Sequence, residues 1–246
     1  MEKKIVATIE ARFASTRLPG KTLLEICGKS TLELMIERVK SSKLIDQVVI
    51  ATTVNPDCDA IEELAKRLDV GCFRGSEEDV LDRVLCAARA YNADIIVELT
   101  GDETIIDPDI IDETINFYLK NKYDYVSNIL DRHYPRGLDT QVFATSVLDE
   151  VAGLTKDPAD RENVSLYIYE HPEKYSLGSV KAPDEMDHPD GRWTLDTKED
   201  FKFIQALYEE FYPKNKKFTA WDILQYLNDN PEVLAINQDI KQKAVR

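Results

Sequence analysis

Three fixed cations, Arg12, Arg17 and Lys21, fall within ten positions of one another, with the hydroxyls of Ser15 and Thr16 and a glycine, Gly20, between them. Guanidinium forks clamp phosphate oxygens in pairs, an ammonium adds a point charge, and accessible backbone N–H groups complete a cradle for a polyphosphate. A solvated basic surface loop is the plainer alternative. The chain as a whole carries a net charge of −15, so cations gathered at one place are not a by-product of composition. Two acids sit in comparable surroundings further on, Asp102 in Thr100-Gly101-Asp102-Glu103 and Asp196 in Leu195-Asp196-Thr197. Mg²⁺ takes oxygen ligands, among them only one or two carboxylates, and bridges phosphates during nucleotidyl transfer, so two acids from distant segments suit it. Each acid equally suits a helix N-cap, and its residue type alone leaves both readings open.

The elements that must position these groups alternate. Ile5-Val6-Ala7-Thr8-Ile9 reads as an opening strand that ends at the cationic loop. Ser30 with Glu33 makes a capping-box start to a helix bearing Leu32, Met35, Ile36 and Val39 on one face. Gln47 to Thr53 is a buried strand, and Asp57 begins a helix with Ile61, Leu64, Ala65 and Leu68. Val70 to Phe73 is a short strand, and Ser76 caps a helix carrying Val80, Leu81, Val84, Leu85 and Ala88. Asp94 to Leu99 is a strand that ends at Asp102, and Pro108 opens the next helix. This β-α alternation predicts an α/β fold with a mainly parallel sheet and helices on both faces, whose ligands gather at the carboxyl ends of the strands. Beyond residue 123 the pattern loosens. Strands are expected at Tyr123 to Asn128, Asp139 to Phe143, near Tyr175–Lys181 and near Arg192–Asp196. Helices are expected from about Ala159 to Glu170, near Glu199–Tyr212 and near Ala220–Asn228, and Trp193 and Trp221 are expected in the core.

Length and composition narrow the class. At 246 residues with no linker, repeat or low-complexity tract, one domain spanning 1–246 is expected. The acidic balance speaks against nucleic-acid binding, because a polyanion is repelled on average. The four cysteines form no C-x-x-C pair and read as reduced thiols, and the apolar run after Lys3-Lys4 is too short for a secretory signal. No stretch approaches the roughly 18 apolar residues of a membrane span, so a cytoplasmic location without membrane insertion is expected. Three scattered histidines make no triad with Ser or Cys, which gives no support to covalent catalysis.

The order A-R-x-x-S-T-R-L-P-G-K at Ala11–Lys21 resembles the nucleotide-binding signature of the cytidylyltransferases that make CMP-activated sugars. The nearest likeness is to CMP-KDO synthetases and to the spore-coat polysaccharide biosynthesis (SpsF-like) branch. Gly-Asp-Glu at 101–103 and Leu-Asp-Thr at 195–197, followed by Glu199-Asp200, resemble the family's two metal-ligand motifs. Gly75-Ser76 with Asp79-Val80-Leu81-Asp82-Arg83, Asp107-Pro108, Tyr134-Pro135-Arg136-Gly137-Leu138-Asp139, and Arg161-Glu162-Asn163-Val164 with Tyr167-Ile168-Tyr169 are similar to further segments of that branch. The likeness covers roughly residues 4 to 203. The chain departs from it at Glu10, where the branch usually has Gln, and at Thr104, where Pro is expected.

The resemblance implies a GT-A-like (nucleotide-diphospho-sugar transferase) three-layer sandwich and CTP-dependent cytidylyl transfer that releases pyrophosphate. It implies Arg17, Lys21, Asp102 and Asp196 as catalytic residues, with Mg²⁺ on Asp102 and Asp196. Ala11, Arg12, Ser15 and Arg83 join Arg17, Lys21 and Asp102 around the nucleotide. Arg136, Asp139, Arg161 and Glu162 fall on the acceptor side. The partners are CTP and an anionic small molecule, a sugar acid or phosphorylated sugar-like acceptor destined for a surface glycan, and related synthetases commonly form homodimers. A metal-dependent glycosyltransferase shares the architecture but usually shows D-x-D where this chain has G-D-E. A nucleotide-binding protein without turnover has no need of both acids.

Overall fold

Ile5–Glu10 forms strand β1, and its alternation is two-sided, as expected for a strand covered on both faces. The computed structural model describes residues 3–242. The strands that follow are β2 (Glu25–Ile26), β3 (Lys29–Ser30), β4 (Gln47–Thr53), β5 (Gly71–Gly75), β6 (Ile95–Thr100), β7 (Tyr125–Ser127), β8 (Gln141–Ala144) and β9 (Leu177–Ser179). The helices are α1 (Thr31–Val39), α2 (Asp59–Leu68), α3 (Val80–Ala90), α4 (Pro108–Lys120), α5 (Thr145–Leu154), α6 (Pro158–Glu162), α7 (Leu166–Glu170), α8 (Lys198–Phe211), α9 (Ala220–Asp229) and α10 (Pro231–Leu234).

The central sheet runs β5-β4-β1-β6-β8-β7-β9, and β2 and β3 make a separate antiparallel pair. β1 pairs in parallel with β4 on one side and β6 on the other, and β5 extends the parallel half. Only β8 runs against its neighbours β6 and β7, and β9 is parallel to β7. The sheet is therefore mainly parallel. The chain winds outward from β1 to β4 and β5, then returns to place β6 on the other side of β1. A crevice opens at such a switch point, outside the carboxyl ends of the strands. The loop after β1 and the Gly-Asp turn after β6 both emerge there.

Ile5, Ala7 and Ile9 join Leu32, Met35 and Ile36 of α1, Ile61 and Leu64 of α2 and Ile111 of α4 in one apolar layer. Val6, Val49, Ile96, Tyr125 and Phe143 face the opposite layer, against α3, α5 and α7. A third cluster joins α8 and α9 to Trp193, Ile105 and Leu34 at the switch-point end.

Several local expectations change. Ser30 caps α1 by accepting from the Glu33 N–H, but the Glu33 carboxylate is held by Lys29 and Arg67, so the reciprocal arm of the capping box is not made. A 3₁₀ turn over Pro56–Cys58 delays α2 to Asp59. Asp79, not Ser76, caps α3, and Ser76 supports it by accepting from the Asp79 N–H. Helix α5 was not anticipated: it has no side-chain cap and buries only Leu148 and Val151, too little for a helical period to show. The helix expected over 159–170 is two short helices, broken where Val164 adopts φ 38°. A β-branched residue in that region costs about 1–3 kcal/mol, which the packing around its fully buried side chain offsets. The expected strand at 192–196 pairs only through a bridge between Arg192 and Arg136. Trp193 is in the core, whereas Trp221 is 41% exposed.

Candidate active site

Neither acid singled out from the sequence caps a helix. Asp107 caps α4, and Thr197 caps α8 through a capping box with Asp200. Asp102 and Asp196 are thereby left facing the crevice, and their oxygens converge on one cation. Lys21 Nζ lies 3.0 Å from Asp102 Oδ2 and 2.8 Å from Asp196 Oδ1. The outer oxygens are also engaged. Thr100 Oγ1 donates to Asp102 Oδ1 at 2.7 Å, and Arg17 Nη2 lies 2.9 Å from Asp196 Oδ2.

Backbone links set this spacing. Gly101 N–H donates to the Glu10 carbonyl at 2.9 Å, tying the β6 turn to the end of β1. A Cβ on Gly101 would lie 2.7 Å from that carbonyl oxygen, so only glycine permits the approach. Leu195 N–H donates to the Asp102 carbonyl at 2.9 Å and brings the second acid alongside the first. Gly137, at φ +100°, lets Arg136 lie against Trp193, and any Cβ there would strike the Trp193 carbonyl at 2.4 Å. Asp196 is held from behind by a buried clasp that sequence reasoning missed. Arg192 Nε and Nη2 donate to the two oxygens of Asp200 at 2.8 Å each, and Asp200 Oδ2 accepts from the Asp196 and Thr197 N–H groups. Asn237 donates to both the Arg192 carbonyl and Asp200 Oδ1, each at 2.9 Å. The pairing of Arg192 and Asp200 at eight residues' separation had a faint signal in the motif itself; Asn237 had none.

Electrostatics match the geometry. Burial pushes the Asp102 carboxyl up, but the Lys21 charge and the hydrogen bonds from Thr100 and Lys21 outweigh it and bring the group down to about 2. Burial lowers the Lys21 ammonium, yet Asp102 and Asp196 more than compensate and hold it above its usual range. Both groups are therefore charged at neutral pH. Two carboxylate oxygens already disposed around one cation fit a small divalent ion, whose remaining ligands would be phosphates and water.

The loop after β1 is shaped for anions. Among the described residues, the N–H groups of Ala14, Ser15, Thr16 and Arg17 have no hydrogen-bond partner in the protein, and Ser15 Oγ turns back to accept from the Leu18 N–H. Ala11 is buried at the loop's root, where its N–H donates to the Ala51 carbonyl. Arg12 Nη1 reaches the Glu77 carbonyl at 3.4 Å. Arg83 converges on the same turn, donating to the carbonyls of Ser76, Glu77 and Ala51, and is 2% exposed. It braces the rim of the site from within.

The four acceptor-side residues do not form one clamp. Arg161 donates through Nε and Nη2 to Asp79, joining α6 to α3. Asp139 is engaged by both arms of Arg132 at 2.7 Å each, a partner not foreseen. Glu162 is exposed. Arg136 and Glu162 have no ion pair among the described residues, and Arg136 lies between the like charges of Arg132 and Arg192 and the more distant carboxylates of Asp139 and Asp190.

Below the loop, Glu10 and Glu98 lie on adjacent strands with an oxygen of each carboxyl buried and without a hydrogen-bond partner, an arrangement that disfavours two charges at once. Burial pushes Glu10 up to about 7, against the pull of Arg83 and Arg12 and with help from Asp102. Burial drives Glu98 well above the carboxylate range, and the charge of Glu10 adds to it. Near neutral pH the position expected to carry Gln thus keeps a proton that an ordinary carboxylate would have lost, and an acid donates as an amide does. Because the folded-state value is raised from 4.5 to about 7, this contribution to stability is full below pH 4.5 and is lost as pH rises through 7. Glu10→Gln is expected to be more stable than the parent by about 2–3 kcal/mol at pH 8 and to lose that advantage near pH 5. Thermal unfolding of both proteins from pH 5 to 8.5 measures this; parallel profiles would remove the acid pair from the account.

A mainly parallel sheet with a cationic loop and two converging acids at its switch point defines a nucleotidyltransferase. A family model described as cytidylyltransferase matches residues 6–230, and the chain belongs to that family. It is 34% identical to the spore coat polysaccharide biosynthesis protein SpsF of Bacillus subtilis, over 93% of this chain and 95% of that protein. It is 32% identical to the 3-deoxy-manno-octulosonate cytidylyltransferase of Geobacter metallireducens, over 68% of this chain and 74% of that protein. The solved structure of a cytidylyltransferase from Leptospira borgpetersenii superposes with a TM-score of 0.90 at 35% identity, covering 99% of this chain and 100% of that one. These likenesses place the chain in the SpsF-like branch, related to the CMP-KDO synthetases. No helix of the described residues is long and apolar enough to cross a membrane.

Proposed function

We propose that the protein transfers a cytidylyl group from CTP to an anionic sugar-like acceptor, a sugar acid or a sugar phosphate, releasing pyrophosphate and preparing a building block for a surface glycan. The observation that carries this reading is the convergence of Asp102 and Asp196 on one cation beside Arg17 and the unpartnered loop N–H groups. Those N–H groups, with Arg17 and Lys21, are placed to hold the β and γ phosphates and to gain strength as charge moves onto the departing pyrophosphate. Asp102 and Asp196 would hold Mg²⁺, which when bound supplies charge neutralisation at the reacting phosphate. Arg136, without an ion-pair partner, is placed to take the acceptor's anionic group. A phosphate acceptor arrives as the attacking anion, whereas a hydroxyl acceptor needs metal binding or a carboxylate such as Asp196 to lower its pKa. No enzyme nucleophile is required. The names of the SpsF and 3-deoxy-manno-octulosonate relatives support the glycan setting and the acid acceptor.

The test is pyrophosphate release from each of the four ribonucleoside triphosphates with Mg²⁺ and a panel of sugar acids and sugar phosphates. CTP is expected to turn over and, by calorimetry, to bind more tightly than UTP, ATP or GTP. Equal or tighter binding of another nucleotide would remove the cytidylyl assignment. Release of a nucleoside diphosphate from a sugar nucleotide, with no pyrophosphate from any triphosphate, would make the protein a glycosyltransferase instead.

A further inference from the structure

Lys21 neutralises the two facing carboxylate oxygens in the crevice, 3.0 Å from Asp102 and 2.8 Å from Asp196, with its side chain only 15% exposed. The outer oxygens of the same acids are already engaged by Thr100 and Arg17. Its backbone is anchored, since the Lys21 carbonyl accepts from Thr31 Oγ1 at 2.6 Å and its N–H donates to the Leu18 carbonyl. The four-carbon stem is the part free to swing. Mg²⁺ and Mn²⁺ are hard cations; Mg²⁺ binds carboxylate oxygen at about 2.0–2.1 Å. An ammonium held by those same two oxygens would face a divalent ion at close range in a partly buried site, where repulsion is weakly screened.

We infer that Lys21 occupies the cation's own seat, so that divalent metal and nucleotide binding are coupled through this one side chain. The inference rests on the proposed role of Asp102 and Asp196 as metal ligands. A polyphosphate in the loop draws the Lys21 ammonium toward its own oxygens and leaves the carboxylate pair uncompensated, ready for a divalent ion. A divalent ion on the pair releases Lys21 toward the phosphates. Each event favours the other by the same factor, as linkage demands. The free protein then takes up divalent metal poorly, and metal and nucleotide enter together. Lys21 acts here as a positioning residue, in addition to its contact with phosphate.

Mn²⁺ alone should bind Lys21→Met at least about tenfold more tightly than the parent, because two facing carboxylates lose their resident counter-ion. In the parent, a non-hydrolysable methylene analogue of CTP should tighten Mn²⁺ binding, and in Lys21→Met this enhancement should shrink to the part that the phosphates supply as ligands themselves. Calorimetry or the spin-resonance signal of free Mn²⁺ reads both, without turnover. Lys21→Gln, which keeps a polar group and lacks the charge, should behave likewise and serves if the Met variant does not fold. A Lys21 that is only a phosphate ligand predicts unchanged or weaker binding of Mn²⁺ alone, and that result overturns the inference. If such binding is nevertheless abolished by Asp102→Asn, the metal ligands stand and only the coupling falls. Absence of Mn²⁺ binding from every protein, with and without the analogue, overturns the metal assignment together with the inference.

Discussion

Asp102→Asn and Asp196→Asn are each expected to lower kcat about a thousandfold or more while leaving the fold intact. An amide keeps the shape but offers a divalent cation no charge, and loss of a ligand removes several kcal/mol of transition-state stabilisation, about 4 kcal/mol corresponding to a thousandfold. The fold is spared because neither carboxylate caps a helix: Asp107 and Thr197 do that work for α4 and α8. The buried Arg192–Asp200 clasp also survives both substitutions. Pyrophosphate release at saturating nucleotide and metal, read beside the melting temperature, separates the two effects. Wild-type turnover in either variant would end the assignment of that acid as a ligand, and a large fall in melting temperature would instead mark it as structural.

The second large effect is on stability. Arg192→Met should destabilise the protein by about 3–5 kcal/mol, because it strands the charge of Asp200, which is fully buried. Two backbone N–H groups and Asn237 still donate to that carboxylate, but no cation remains to balance it. At about 2–4 °C per kcal/mol for a chain of this size, the melting temperature should fall by roughly ten degrees. The double variant Arg192→Met/Asp200→Leu should recover part of the loss, since removing both charges also removes the desolvation penalty. Turnover should remain low in the double variant, because Asp200 orients Asp196 through its N–H. A single-variant shift within a degree or two of the parent would show that the clasp is dispensable.

Much of the architecture was legible in the chain because its signals are local. Alternating apolar runs and caps are properties of a few neighbouring residues, and they marked β1, β4, β6, α1 and α4 with only small errors at the ends. The signature from Ala11 to Lys21 identified the family for the same reason: binding a polyphosphate places its cations, hydroxyls and glycine in one contiguous loop. Short segments stabilised by their neighbours were not legible. Helix α5 forms because Leu148 and Val151 have a layer to pack into, and the break at Val164 exists because surrounding structure holds an unfavourable φ.

The sequence by itself determined the family, the order of β-α units that makes the sheet mainly parallel, and the two acids worth testing. It left open whether those acids cap helices or face a ligand, and which arginines are free to bind one. Only the tertiary structure decided this. Whether a guanidinium is available depends on which partners the fold brings within about 3 Å, and those partners come from far along the chain. Asp79 lies 82 residues from Arg161 and engages it, and Lys21 lies 175 residues from Asp196 and engages it. Arg83 is taken up by the carbonyls of a turn beside the end of β4, whereas Arg136 makes no ion pair among the described residues. The protonation of Glu10 is likewise a tertiary property, since its acidity is set by burial and by the opposing charges of Arg83 and Asp102, which the fold brings in from distant segments. Residue types along a chain specify which charges exist; the fold specifies which of them are already balanced.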